Sequence, residues 1–379
     1  MPADKVLRFN KYGKFNILCV ADMHLRDTGE KELDDTLALL DGSLECFKPD
    51  LTVLLGDNVS NWKGKTPEGV EKLIKLVTDI FDKHGSPFAV VFGNHDEESG
   101  VSKEEQTKLY QRSENCLMTA GFCEEGYGNY NLPILASDSD KMAFNLWMID
   151  SGDHYVDENG KSHYAYVGDR QIEWFEKKNQ EIRKANKGFP VYSLVFQHIT
   201  VPEQYRLLKE VSPLTPFAIK GHGAWSDRHF VIAQPKYTKG MLGEGPCPPD
   251  VNNGQFTSWV KTGDVIGAVF GHDHINDFVG DVDGIKLIQT RGAGFQAYGD
   301  GVDRGVRIIT IDESEPTKVS TETYTFPQIV GKPTSLPFKE RITIREKRKL
   351  TVAAVGAGLG AAAGAAIGVL FNKIRKKSK

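Results

Sequence analysis

Five short apolar runs share one feature: each stops at a residue able to bind a cation. Phe15 to Ala21 (FNILCVA) ends at Asp22, Leu51 to Gly56 (LTVLLG) at Asp57, and Phe88 to Gly93 (FAVVFG) at Asn94-His95-Asp96. Tyr192 to Gln197 (YSLVFQ) ends at His198, and Val265 to Gly271 (VIGAVFG) at His272-Asp273-His274. Runs of this length, rich in Val, Ile, Leu and Phe, read as strands buried on both faces. In such sheets ligands gather in the crevice beyond the carboxyl ends of the strands. All five runs therefore point polar groups at one edge.

Between the first runs the apolar spacing turns helical. Lys31 to Phe47 stops before Pro49, and Glu68 to His84 is followed by Gly85 and Pro87, as helix ends require. Asp169 to Lys187 also reads as a helix, with Ile172, Phe175 and Ile182 on one face. Asn129 to Ile149 predicts a hairpin, Asp277 to Ile288 another around Asp283-Gly284, and Val306 to Ile311 a closing strand. Leu207 to Lys261, rich in Gly, Pro and Asn, reads as a loop-rich insertion belonging to the substrate cleft. The pattern is α/β, in one domain over residues 1–338.

Composition narrows the function. Five scattered cysteines with no C-x-x-C pair fit a reduced compartment and not a disulfide scaffold. The polar N-terminus has no apolar core of a secretory signal. The net charge of −4 conceals an asymmetry: residues 339–379 hold 11 Lys and Arg against 2 Asp and Glu, leaving 36 against 49 in the rest. An acidic body argues against general nucleic-acid binding.

The ligand blocks are Asp22-x-His24, Gly56-Asp57-Asn58, Gly93-Asn94-His95-Asp96, Gln197-His198 and Gly271-His272-x-His274. Carboxylate, imidazole and amide oxygen suit Mn, Fe or Zn. Residues two apart in an extended segment share a side, which pairs Asp22 with His24 and His272 with His274. Burying so many polar groups in one cleft demands counter-ions.

These blocks, with AVVFGNHDEES, FQHITVP, FGHDHINDFVG and the glycine-rich segment Arg291 to Gly301, resemble the calcineurin-like metallophosphoesterase superfamily. The chain is most similar to the plant and fungal phosphatases related to purple acid phosphatases. It departs from true purple acid phosphatases where Ser60 replaces a tyrosine ligand and His24 replaces a glycine. The resemblance implies a four-layer α/β/β/α sandwich and two metal ions (Mn, Fe or Zn). One would be held by Asp22, His24, Asp57 and His274, the other by Asp57, Asn94, His198 and His272. It implies a phosphatase that hydrolyses phosphate monoesters by attack of a metal-bridging hydroxide. His95 would stabilise the phosphoryl group or protonate the leaving oxygen, with Asp96 either orienting His95 or capping its loop. Asn58 and Arg291 are candidate phosphate contacts. Alternatives are a phosphodiesterase on small or nucleotide diesters and a non-catalytic binding module. The substrate is a phosphorylated small molecule or phosphoprotein.

The C-terminus carries a separate signal. After a basic linker at 339–349, Leu350 to Phe371 is 22 residues without a charge, about 33 Å as a helix and enough to span a bilayer. A basic tail, 372–379, follows. Gly356, Gly360, Gly364 and Gly368 would lie on one face and allow helix–helix association, hence a homo-oligomer. The expectation is a transmembrane anchor with the catalytic domain in the cytoplasm.

Overall fold

The computed structural model describes residues 6–233 and 239–352. The chain begins by alternating strand and helix: β1 (Lys14–Val20), α1 (Lys31–Phe47), β2 (Leu51–Leu55), α2 (Pro67–His84), β3 (Phe88–Val91) and α3 (Lys103–Tyr110). It continues through the hairpin β4 (Tyr130–Leu135) and β5 (Met142–Met148), then a short hairpin of β6 (His154–Val156) and β7 (Ser162–Tyr164). Next come α4 (Asp169–Ala185) and β8 (Ser193–Phe196), followed by β9 (Leu208–Val211), β10 (Ile219–Lys220), β11 (His229–Ile232) and α5 (Gln255–Thr262). The last elements are β12 (Val265–Phe270), β13 (Val279–Val282), β14 (Ile285–Gln289), β15 (Gly305–Asp312), β16 (Val319–Thr325) and α6 (Phe326–Ile329).

Two sheets form the body. One runs β16-β15-β1-β2-β3 and the other β13-β14-β12-β8-β5-β4. β1, β2 and β3 are mutually parallel, and so are β5, β8, β12 and β14, so the carboxyl ends of the five ligand-bearing strands collect at edges of the same polarity. The edges meet closely: a Cβ on Gly271, just past β12, would stand 3.0 Å from the carbonyl oxygen of Leu55 in β2.

Packing follows the pattern of apolar positions. Thr66 caps α2 by accepting from the Gly69 N–H at 3.1 Å, Pro67 opens the helix, and Gly85 closes it at φ 59°. Val70, Leu73, Ile74, Val77 and Phe81 then face inward at helical spacing. One apolar cluster runs from α1 and α2 through the five-stranded sheet to the inner face of the other, including Leu132, Phe144 and Phe196. A second covers the outer face of the six-stranded sheet, where Trp147, Val195, Phe270 and Leu287 meet Phe175 of α4 and Phe256 and Trp259 of α5. The result is the expected α/β/β/α layering.

The insertion holds more structure than its composition suggests. β9, β10 and β11 form a three-stranded sheet and α5 follows it. These strands are short and partly exposed, so no apolar run announces them.

The basic stretch after residue 338, expected as a linker, is instead docked on the domain. Thr343 is buried, residues 344–352 are helical, the Ile344 N–H donates to Asp300 at 2.6 Å, and Arg348 donates to the Leu242 carbonyl at 2.8 Å. Beyond Val352 the expected span, with its glycine strip, lies outside the described residues. Among the described residues no helix is long and apolar enough to cross a membrane.

Candidate metal centre and its cleft

The ligand blocks turn sharply out of their strands. Asp22, His24, Asp57 and His272 adopt φ values of 54°, 45°, 50° and 74°, a left-handed conformation that non-glycine residues rarely take. Strained backbone of this kind persists where surrounding structure over-determines it, as at ligand sites. Two glycines make room. Gly56 sits at φ 88°, where a Cβ would lie 2.6 Å from His198 Nδ1, and a Cβ on Gly93 would collide with the Asp57 carboxylate.

The predicted ligands converge. Asp22, His24 and His274 form one buried group, and Asp57, His198 and His272 another, with ligand atoms in each within 4.8 Å of one another. His24 Nε2 and His274 Nε2 approach to 3.1 Å. Asp57 Oδ2 stands between the groups, 3.4 Å from His24 Nε2 and 3.1 Å from His198 Nε2. Asn94 is buried, and among the described residues neither its Oδ1 nor its Nδ2 has a hydrogen-bond partner; His272 Nε2 also lacks one. Interiors rarely tolerate such orphans.

Neighbouring groups fix which ring nitrogens face the centre. His198 Nδ1 lies 2.7 Å from the Leu55 carbonyl oxygen, and His274 Nδ1 lies 2.8 Å from that of Tyr298. An Nδ1–H donating to a carbonyl leaves the Nε2 lone pair free for a metal. Burial pushes His24 down to about 3 and His274 to about 4, so both rings are neutral at ordinary pH. Burial drives the Asp22 carboxyl well above its usual range, aided by the Asp57 charge and opposed by His198. Against its burial, the Asp57 and Asp22 charges pull the His198 ring up to about 10, and a cation would displace the proton it holds. The neutral His24 and His274 rings, crowded carboxylates and orphaned acceptors are the donor set that divalent cations complete. The residues fit two such ions.

Asp96 does not touch the His95 ring, which leaves the loop-capping alternative: it is fully buried and accepts the backbone N–H groups of Gly93, Asp57, Asn58 and Val59 at 2.7, 3.0, 2.9 and 3.0 Å. Its work is to cap the loop that carries Asp57. Burial and the Asp57 charge push Asp96 up to about 7, against the pull of those donors. Asp96→Ala is expected to lower stability by about 3 kcal/mol, since four buried N–H groups lose their acceptor. Thermal melting of the metal-free protein measures this, and an unchanged midpoint would refute it.

Nor do Arg291 and Asn58 line the cleft. Arg291 is buried and ion-paired with Asp277 at 2.8 Å. Asn58 is buried and donates to the Val91 carbonyl at 3.2 Å. Arg291 serves the interior, where a charge must be paired, while Asn58 Oδ1 is buried without a hydrogen-bond partner among the described residues.

His95 stands at the mouth of the centre with its side chain 38% exposed, and its Nδ1 lies 2.9 Å from Glu98 Oε2. Its backbone N–H donates to Asp57 Oδ1 at 2.8 Å. Glu98 escaped the sequence reading, although its place three residues after His95 was the available signal. The cleft encloses about 320 Å³ and is lined also by Tyr164, Cys247 and Tyr298. Tyr298 stacks on His274 at 4.0 Å, and Tyr164 stands edge-on to His272 at 4.5 Å. Ser60, in the place of the missing tyrosine, is buried and accepts from Arg26 Nε at 3.0 Å.

The sequence matches the family described as "Calcineurin-like phosphoesterase" over residues 15–276. It is 29% identical to "Probable inactive purple acid phosphatase 14" of Arabidopsis thaliana, over 80% of this chain and 76% of the relative. It is 28% identical to "Probable inactive purple acid phosphatase 29" of the same plant, over 82% and 80%. Among solved structures, a dimetal phosphatase from Danio rerio aligns with 82% of this chain and 99% of its own, at 13% identity and a TM-score of 0.49. With the family match spanning more than half of its length, the chain belongs to the calcineurin-like phosphoesterases.

Proposed function

We propose that the protein is a dinuclear metal-dependent phosphatase acting on phosphate monoesters. The observation that supports this reading most is Asp57 Oδ2, poised between His24 of one ligand group and His198 of the other. One cation would be held by Asp22, His24, Asp57 and His274, and the other by Asp57, Asn94, His198 and His272. Bound there, the ions would lower the pKa of a water and neutralise charge on the phosphoryl oxygens.

The chain's own groups would do the rest. The Glu98 carboxylate would accept the Nδ1–H of His95, and in its imidazolium form the ring would offer the Nε2–H to the leaving oxygen as a hydrogen bond or a proton, ending neutral. Tyr164 and Tyr298 wall the sides and limit how bulky an ester can approach. Two relatives carry "inactive" in their names. Here all seven candidate ligands and His95 are present, which favours catalysis over a purely binding role.

The test is hydrolysis of 4-nitrophenyl phosphate and bis(4-nitrophenyl) phosphate by the full chain with Mn, Fe, Zn or Mg supplied. Metal-dependent release from the monoester in preference to the diester is expected. Preference for the diester would make the protein a phosphodiesterase, and inertness toward both would make it a binding module. A second outcome is optical: the iron-loaded protein should lack an intense visible band, because Ser60 offers no phenolate to iron. Such a band in pure protein would contradict the ligand assignment.

We also propose that the uncharged segment 350–371 anchors the enzyme in a membrane with the catalytic domain on the cytoplasmic side. The full chain should then stay with membranes in high salt and carbonate. A chain ending at Val352 should be soluble and active. One ending at residue 338 should melt lower, because it loses the Ile344 and Arg348 contacts. Release of the full chain by salt alone would reduce the tail to a basic surface arm.

A further inference from the structure

Beside the cleft lies a second open cavity of about 400 Å³, and the two share Tyr164 as a common wall. The Tyr164 ring is 4.5 Å from His272 on one side, and 5.1 and 5.7 Å from His154 and His222 on the other. His154 also lies 6.3 Å from His95, between ring centroids. The cavity therefore begins one ring away from the group given the leaving oxygen. Its walls come from the β6–β7 hairpin and from the insertion, neither of which supplies a candidate metal ligand.

The carboxylate that lines this cavity, Asp250, and the one bonded to its lining residue His163, Asp157, are already satisfied. Asp250 faces His163 Nδ1 at 2.7 Å and accepts the Ala224 N–H at 3.1 Å. Asp157 faces His163 Nε2 at 3.0 Å and accepts the N–H groups of Asn159 and Lys161, both at 2.9 Å. With a carboxylate at each nitrogen, His163 donates from both. What remains facing the open space is the ammonium of Lys161 and the rings of His154 and His222, all exposed. None of these three side chains has a hydrogen-bond or ion-pair partner among the described residues. A neutral alcohol would leave this donor set unanswered, whereas a phosphate or carboxylate presents several acceptor oxygens to it.

We propose that this second cavity seats the leaving-group half of the substrate, and that the preferred substrate is a small phosphomonoester whose alcohol carries a second anionic group. The inference rests on the phosphomonoesterase reading. Two cavities of about 320 and 400 Å³ side by side suit a small molecule held at both ends.

The test compares fructose 1,6-bisphosphate, 3-phosphoglycerate and 4-nitrophenyl phosphate in the metal-loaded full chain. The first carries a second phosphate, the second a carboxylate and the third neither. In the Lys161→Ala/His222→Ala variant, the KM for the preferred anionic ester relative to that for 4-nitrophenyl phosphate should rise about ten-fold, as for one lost charge-assisted hydrogen bond. An unchanged ratio would overturn the proposal, and the ester whose ratio moves more identifies the second anion. Lys161→Met with His222→Gln repeats the measurement should the alanine pair fold poorly. Histidine proton NMR supplies a readout free of turnover: fructose 1,6-bisphosphate should shift the His154 and His222 resonances, and their failure to move would also overturn the site. If no ester is hydrolysed with any metal while those resonances shift, the phosphatase reading falls and the anion site stands.

Discussion

Asp57→Asn is expected to abolish phosphatase turnover, by on the order of 10³-fold or more, and to remove at least one metal ion. Asparagine keeps the shape of the side chain and can still accept the His95 N–H through Oδ1. It loses the negative charge at Oδ2, the atom nearest to His24 and His198. Fold and metal loss are therefore separable: circular dichroism should be unchanged while elemental analysis falls below two ions per chain. Two ions retained with normal turnover would remove Asp57 from the bridging position.

His95→Ala should behave in the opposite way, keeping both ions while kcat falls by roughly 10²- to 10⁴-fold, the usual yield of a positioned acid. The reason is geometric. His95 belongs to neither ligand group, and its partly exposed ring stands at the mouth, 5.5 Å from that of His24. Glu98→Gln should cost less, about ten-fold, because it loosens the ring without deleting it. Metal content falling in step with rate in His95→Ala would make His95 a ligand, and the proposed division of labour would be wrong.

The site was legible where burial is continuous. β2, β3, β8 and β12 are buried at every position, so their apolar runs stand out and their ends locate Asp57, Asn94, His198 and His272. Long-range contacts left no such trace. Nothing local to Tyr164 or Tyr298 says that each ring packs on a histidine more than twenty residues away. Arg291 shows the reverse failure: a charged residue that opens a glycine-rich segment looks like chemistry, yet Asp277 claims it for the interior. The left-handed turns at Asp22, His24, Asp57 and His272 were equally hidden, because those residue types do not betray positive φ as glycine does.

The docked C-terminal helix ties whatever lies beyond it to catalysis by distance alone. Ile344 is bonded to Asp300, two residues from the cleft-lining Tyr298, and Arg348 to Leu242, five residues before Cys247. From Ile344 to Val352 a helix rises only about 12 Å. A molecule held just past Val352 would be confined to the neighbourhood of the domain that carries the cleft, at an effective concentration set by that short tether. Phosphate esters gathered there would be hydrolysed ahead of chemically identical ones in bulk solution, a selectivity of address that steady-state constants on free substrates do not reveal.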